Sequence, residues 1–218
     1  EPNTRATTAE LYDGLIAKSQ NRWPSLSFDA MGVNDMLSPF FAAGFYYKTF
    51  MWPKAFWEKL YEPIIRRAAG LGALSKKKNP DLYEKAFAFC DVLIVGAGPT
   101  GVMAALTAAK AGRNVILADE NPRLGGRLLL EADQINGAPA TEWLSAVIAE
   151  LDAMPNVRIM TRTTVTGAYD QGTYGALERV SHHRPRSDAP RECFWRIVAE
   201  NTVLCAGALE RPIGFPNN

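Results

Sequence analysis

The chain has 218 residues, enough for one large domain or two small ones, and with 47% hydrophobic and 22% charged residues it can bury a sizeable core. A net charge of +1 excludes the basic face that nucleic acid or an anionic membrane surface would require. No apolar run reaches the length of a membrane-spanning helix, and the N-terminus lacks the basic, apolar, small-residue succession of a signal peptide, so the expected setting is cytoplasmic.

The chain opens on Glu1-Pro2-Asn3 rather than Met and stops at Asn218 soon after a strand, which reads as an excerpt of a longer polypeptide. Leu11, Tyr12, Leu15 and Ile16 lie at helical spacing and predict a short amphipathic helix before Asn21-Arg22-Trp23-Pro24. Between Ser38 and Tyr61 aromatic residues crowd together: Phe40, Phe41, Phe45, Tyr46, Tyr47, Phe50, Trp52, Phe56, Trp57 and Tyr61. Such a stretch packs against the rest of its own polypeptide or forms a subunit interface, where Trp and Tyr are enriched. Phe56, Leu60, Ile64 and Ala68 recur every fourth residue, but Pro63 interrupts them. One helix is therefore expected to end near Glu62 and a second to start at Pro63, with Gly70 capping it. Lys76-Lys77-Lys78 and Asn79-Pro80 read as a solvated linker, which sets a first segment at 1–80 and a second at 81–218.

Val92–Val95 is an apolar run of strand type, followed at once by Gly96-Ala97-Gly98-Pro99-Thr100-Gly101 and an alanine-rich helical segment that Gly112 ends. A second strand, Val115–Ala118, runs into Asp119, Glu120 and Asn121. A lone GxGxxG is weak evidence. Between a strand and a helix, with an acid 23 residues after Gly96, it signifies a dinucleotide site rather than a bare glycine-rich turn. Gly96 makes the tight turn, Gly98 lets backbone approach a pyrophosphate, and Gly101 lets helix and strand pack closely. The diphosphate then sits on the unpaired N–H groups of a helix N-terminus. A carboxylate at Asp119 accepts hydrogen bonds from the adenosine ribose and repels a 2′-phosphate, which favours NAD or FAD over NADP. Glu120 and Asn121 reach the ribose or adenine edge from the same loop. The motif alone does not separate NAD from FAD, since both present an adenosine diphosphate.

After Gly125-Gly126-Arg127 the chain reads as an irregular loop to Pro139. Thr141 is placed to cap a helix whose buried face is Trp143, Leu144, Val147, Ile148 and Leu151. Val157–Met160 then completes a parallel βαβαβ unit, with Thr164-Val165-Thr166 flanking the adenine. Beyond it the pattern is antiparallel: strands at Thr173–Val180, Cys193–Val198 and Thr202–Ala206, the last delivering Ala206-Gly207 to the same dinucleotide, with Arg211-Pro212 soon after. The fold expected is thus α/β, a Rossmann-like dinucleotide-binding domain with an antiparallel β insertion, preceded by a mixed aromatic-rich segment.

Cys90, Cys193 and Cys205 are scattered and form no CxxC, so neither a zinc site nor an iron–sulfur cluster can be built from them; Cys90 and Cys205 read as buried thiols. His182 and His183 sit in the loop Ser181–Arg191 beside Pro, Ser and Arg and read as solvated, with no metal site and no catalytic role.

The succession GxGxxG, acid, Gly-Gly and Ala-Gly strand resembles the glutathione-reductase-like flavoprotein domains, although Cys205-Ala206-Gly207 departs from their usual Thr-Gly pair. Asn21-Arg22-Trp23-Pro24-Ser25, Ala43-Gly44-Phe45-Tyr46-Tyr47-Lys48-Thr49-Phe50 and Tyr61-Glu62-Pro63-Ile64-Ile65-Arg66-Arg67 resemble the alpha subunits of heterotetrameric sarcosine oxidase. That resemblance runs over essentially the whole chain. It implies the end of a cluster-free ferredoxin-like domain with a helical linker, then the first part of an NAD-binding domain, C-terminally truncated. It also implies oxidative demethylation of sarcosine to glycine with hydrogen peroxide formed and the one-carbon unit passed to tetrahydrofolate. NAD would be held in this chain in preference to FAD, with FAD, FMN and tetrahydrofolate elsewhere in a complex of alpha, beta, gamma and delta subunits. Related amine or opine oxidases, cyanide-forming glycine oxidases and a purely structural dinucleotide module are the alternatives. Carried over by motif, Thr100, Asp119, Glu120, Asn121, Arg127 and Val165 are the implied contacts; no catalytic residue carries over, and the segment alone is not expected to be active.

Overall fold

Strand β1 (Tyr83–Val95) carries the architecture, because it is two kinds of strand in succession. Its first half alternates: Phe87 and Phe89 face outward while Ala88 and Cys90 are buried. Its second half is buried on both faces, with Leu93 and Ile94 fully enclosed, as a strand inside a parallel sheet must be. In this computed structural model residues 9–20, 22–40, 50, 52–72, 76–132 and 134–208 are described. They fall in two compact units divided between Asn79 and Pro80.

In the second unit a six-stranded sheet runs in the order β5-β2-β1-β8-β7-β6. Its parallel part joins β5 (Val157–Met160), β2 (Val115–Ala118), β1 and β8 (Glu192–Leu204). The antiparallel part adds β7 (Thr173–Glu178) and β6 (Thr163–Tyr169). An α/β fold with an antiparallel insertion is therefore observed. The separate strands expected at Cys193–Val198 and Thr202–Ala206 are one strand. On one edge β8 pairs with β7 from Cys193 to Val198, while on the other it pairs with β1 from Glu192 to Leu204. Glu200 and Asn201 break the apolar pattern because they are exposed, although the parallel ladder runs on through them.

Helices α3 (Pro99–Lys110) and α4 (Ala140–Asp152) cover one face of the sheet. There Ile94, Val102, Ala105, Leu117, Leu144 and Leu151 form one core. On the opposite face Leu93, Ile116, Ala118, Met160, Ala176 and Ile197 form a second, closed by the antiparallel strands. A cation–π contact ties the two parts of the sheet: the Arg158 guanidinium lies 4.3 Å over the Trp195 ring, and Trp195 Nε1 donates to Glu178 at 2.6 Å.

Two local expectations in this unit are corrected. Thr141 does not cap α4; Pro139 precedes the first turn, and the Thr141 carbonyl accepts a hydrogen bond from Ser145 Oγ inside the helix. The stretch to Pro139 is not wholly irregular. It contains a small hairpin, β3 (Gln134–Ile135) with β4 (Ala138–Pro139), turned at Asn136 and Gly137, which have φ of 55° and 81°. Asn-Gly is the favoured pair for a two-residue turn with both central residues left-handed.

In the first unit no helix forms over residues 9–20, where Gly14 takes φ of 85° and Leu11 and Ile16 are exposed. With no apolar surface to cover, so short a helix has nothing to stabilise it. Asp29 instead organises the next turn, its Oδ1 accepting from the backbone N–H groups of Trp23 and Met31 at 3.0 Å each. Helix α1 (Val33–Leu37) follows, and α2 (Glu62–Ala68) starts one residue before the expected Pro63. The helix expected ahead of it is a 3₁₀ turn (Lys54–Phe56) and a π-helical turn (Trp57–Tyr61). Pro63 has no N–H to donate to that turn, and the widened turn lets Glu62 N–H reach Trp57 O instead. Gly70 ends α2 in the left-handed conformation, with φ of 65°. None of the described residues between 9 and 72 is buried; Phe40 and Trp52 are 75% and 83% exposed. Phe41, Phe45, Tyr46, Tyr47 and Arg211-Pro212 lie outside the described residues.

Candidate functional site

Where β1 ends, Gly96 turns the chain with φ of 98°, and its N–H donates to Ala118 O at 2.8 Å. A side chain there would overlap Cys205 O, because Cys205 N–H donates to Val95 O at 2.7 Å and brings the end of β8 against the turn. Ala206 thus lies next to Gly96, its Cα 3.0 Å from where a Cβ on Gly96 would sit, and Gly207 follows with φ of 68°. Gly101 is buried in the first turn of α3, where a Cβ would overlap Gly96 O. Gly96 and Gly101 are therefore glycine for internal packing.

Gly98 differs from them. Its backbone is extended, at φ −69° and ψ −176°, it precedes α3 as the N-cap, and a Cβ on it would meet nothing within 4 Å. No side chain caps the helix, so the first-turn N–H groups past Pro99, including that of exposed Thr100, keep their donor capacity. Facing it, Gly126 has φ of 53°, and a Cβ on Gly126 would lie 3.1 Å from Gly98 Cα. The two loops are stitched by Gly125 N–H to Ala97 O at 2.8 Å. Open space at Gly98 between two close backbones is the kind of cradle that a diphosphate fills.

The acids after β2 are not equivalent. Asp119 is only 8% exposed, and its carboxylate is engaged by protein: Oδ2 accepts Ala97 N–H at 2.6 Å, and Oδ1 accepts Asn121 N–H at 2.8 Å and Asn121 Nδ2 at 3.0 Å. Glu120 is exposed, and among the described residues its side chain has no hydrogen-bond or ion-pair partner. Its carbonyl accepts Arg179 Nη2 at 2.6 Å. Arg179 escaped the sequence reading because it reaches the loop from 59 residues away, by way of the antiparallel strands. Asn121 also holds the crossover, its carbonyl accepting Arg162 N–H at 3.0 Å.

Arg127 is exposed at the foot of the Gly-Gly turn and pairs with Glu131 at 2.6 Å. Val165 is half-buried on β6 and packs against the second core. The residues singled out from sequence therefore gather at the C-terminal ends of β1, β2 and β8 and along the start of β6, with Arg127 at the rim. Among the described residues no group of three or more His, Cys, Asp or Glu could hold a metal ion. No described helix is long and apolar enough to cross a membrane. Cys90 and Cys193 are buried and Cys205 is half-buried; burial raises the pKa of all three thiols, that of Cys90 to about 11.

The family of FAD-dependent oxidoreductases is matched over residues 91–151, the segment that builds this cradle. The whole chain is 56% identical over 220 aligned residues to the alpha subunit of sarcosine oxidase from Rhizobium meliloti (strain 1021), of which it covers 22%. The chain belongs to the sarcosine oxidase alpha-subunit family. Another sarcosine oxidase alpha subunit, from Corynebacterium sp. (strain P-1), is 42% identical over 68% of this chain and 16% of that one. An opine oxidase subunit from Agrobacterium tumefaciens (strain Ach5) is 33% identical over 59% of this chain and 26% of its own. This sarcosine oxidase alpha-type chain thus spans about a fifth of the length of the sarcosine oxidase subunits it matches. Its family is one of oxidoreductases. The matched domain class is FAD-dependent, and that match lends nothing to the expected preference for NAD over FAD.

Proposed function

We propose that this chain is the adenine-dinucleotide-binding part of a sarcosine oxidase alpha subunit, and that the dinucleotide is NAD. The observation that carries the reading is the open cradle at Gly98, facing Gly126, inside a chain 56% identical over its whole length to such a subunit. Backbone of Gly96, Ala97, Gly98, Thr100, Gly101 and Gly126 would hold the diphosphate, with Pro99 opening the helix and Arg127 at the rim. Asp119 would accept the ribose hydroxyls and its charge disfavours a 2′-phosphate, with Glu120 and Asn121 reaching the ribose or adenine edge from the same loop. Val165 would flank the adenine, and Ala206-Gly207 would close the near side. NAD can supply hydride exchange at its nicotinamide; the residues here bind and orient its adenosine diphosphate half.

The domain of residues 81–218 is read as glutathione-reductase-like and residues 1–80 as the end of a cluster-free ferredoxin-like domain with a linker. The exposed aromatic residues of that segment suit contacts with the rest of the polypeptide or with beta, gamma and delta partners. The complex would act in the cytoplasm, demethylating sarcosine to glycine with hydrogen peroxide formed and the one-carbon unit passed to tetrahydrofolate, using FAD, FMN and tetrahydrofolate held elsewhere. A second reading, FAD in this cradle, is favoured by the FAD-dependent class of the matched domain. The likeness to an opine oxidase keeps a related amine substrate as the alternative chemistry.

The test is to purify the full-length subunit in its native assembly, release the dinucleotide and identify it by mass and absorbance. One NAD per alpha subunit, with Gly98→Val assembled but lacking it, is the expected result. FAD in its place overturns the NAD assignment. Full NAD occupancy in Gly98→Val overturns the cradle.

A further inference from the structure

We propose that Arg179 is a positioning residue for the dinucleotide, acting through the loop that receives the adenosine ribose; the assignment rests on the reading above. In that loop, after β2, Glu120, Asn121, Pro122 and Arg123 are all exposed, so side-chain burial does little to fix its course. Its carbonyls do so instead. Three in succession accept hydrogen bonds from beyond β5: Asp119 O from Thr163 N–H at 2.7 Å, Glu120 O from Arg179 Nη2 at 2.6 Å and Asn121 O from Arg162 N–H at 3.0 Å. The guanidinium is the one charged donor of the three, and a charged donor makes the stronger bond. Arg179 N–H also donates to Arg162 O at 3.0 Å. One arginine thereby holds Glu120 through its side chain and Asn121 by way of Arg162.

The arm that carries Arg179 is anchored independently of the loop. Arg179 directly follows β7, and the residue before it, Glu178, accepts Trp195 Nε1 at 2.6 Å while Arg158 lies over the same ring. With a fixed arm against an exposed loop, it is the loop that is positioned. The effect reaches the ribose site through Asn121, whose N–H and Nδ2 donate to Asp119 Oδ1 at 2.8 and 3.0 Å. Holding the backbone of Glu120 and Asn121 therefore orients the Asp119 carboxylate towards the ribose hydroxyls. A loop ordered in advance leaves less ordering to accompany binding. The antiparallel strands thus act on a site built from the parallel part of the sheet.

Arg179→Met and the wild-type protein are compared in the full-length subunit within its assembly. Both are titrated calorimetrically with ADP-ribose and with the analogue lacking both adenosine ribose hydroxyls. Arg179→Met should lose about tenfold in affinity for ADP-ribose and nothing for the analogue, the scale of one charge-assisted hydrogen bond. Without probe it should also speed hydrogen exchange at the backbone amides of Arg162 and Asn121. Equal losses for the two probes would make Arg179 a general support of the fold or a direct contact to base or phosphate, and would overturn the proposal. Unchanged affinity for both overturns it as well. Should Arg179→Met not fold, Arg179→Gln, polar but too short to reach Glu120 O, is read by the same criteria. Exchange in the wild-type protein is a further check. Arg162 and Asn121 amides protected without probe support a preset loop, and amides protected only with probe overturn it. Wild-type protein that binds neither probe overturns the dinucleotide reading itself, a result distinct from every variant pattern.

Discussion

The carbonyl oxygen of Cys205 occupies the place that a side chain on Gly96 would need, and Gly96 reaches that position with φ of 98°. The first glycine of the motif is thus required twice, by its own dihedral and by the end of the distant strand β8 that packs against it. Gly96→Ala is expected to destabilise the domain by about 2–4 kcal/mol, from left-handed strain and the displaced β8 end together. Chemical denaturation of the variant checks this. A loss below about 0.5 kcal/mol would mean that β8 does not close on the turn.

Gly98→Val should behave in the opposite way. Its Cβ points into open space from an extended backbone, so stability should change by no more than for an ordinary surface substitution, about 0.5 kcal/mol. Dinucleotide binding should nevertheless be lost, because the added methyl groups fill the cradle. The contrast between the two glycines, one measured as stability and the other as occupancy, separates packing from ligand contact.

Trp195 closes the curl of the sheet through its ring face and its N–H. Trp195→Phe keeps an aromatic surface under Arg158 but strands the Glu178 carboxylate that had accepted the indole N–H at 2.6 Å. About 1–3 kcal/mol of stability should be lost. Glu178→Gln, which keeps an acceptor, should lose less. Equal losses in the two variants would show that the indole–carboxylate bond contributes little.

Cys90 makes stability depend on pH at the alkaline end. Burial raises its thiol from 9.0 to about 11, so below pH 9 both folded and unfolded states hold the proton and the full contribution is present. As pH rises from 9 towards 11 the unfolded chain releases the proton first, and stability falls. Melting temperature followed over that range should drop more steeply in the wild-type protein than in Cys90→Ala. Parallel curves would remove the thiol as the cause.

The cradle was legible in sequence because its geometry is local. Gly96, Gly98 and Gly101 act within one turn, and the strand before them and the helix after them are short-range patterns. The Asn136-Gly137 hairpin is equally local, and its turn pair stands in the sequence inside a stretch that otherwise reads as irregular. Three features were out of reach for a different reason. The continuity of β8 through Glu200 and Asn201, the stack of Arg158 on Trp195 and the hold of Arg179 on Glu120 O each depend on a partner supplied by another strand.

What the sequence determined by itself is that a dinucleotide cradle is expected at residues 96–101 with two acids and an Asn at the end of the next strand, since spacing alone sets those positions. Only the tertiary structure decided which carboxylate is engaged by protein amides and which is left in solvent. Asp119 and Glu120 are adjacent and alike in charge. What separates them is that folding buries one against the Ala97 amide, where desolvation demands that every donor be met, and leaves the other in water.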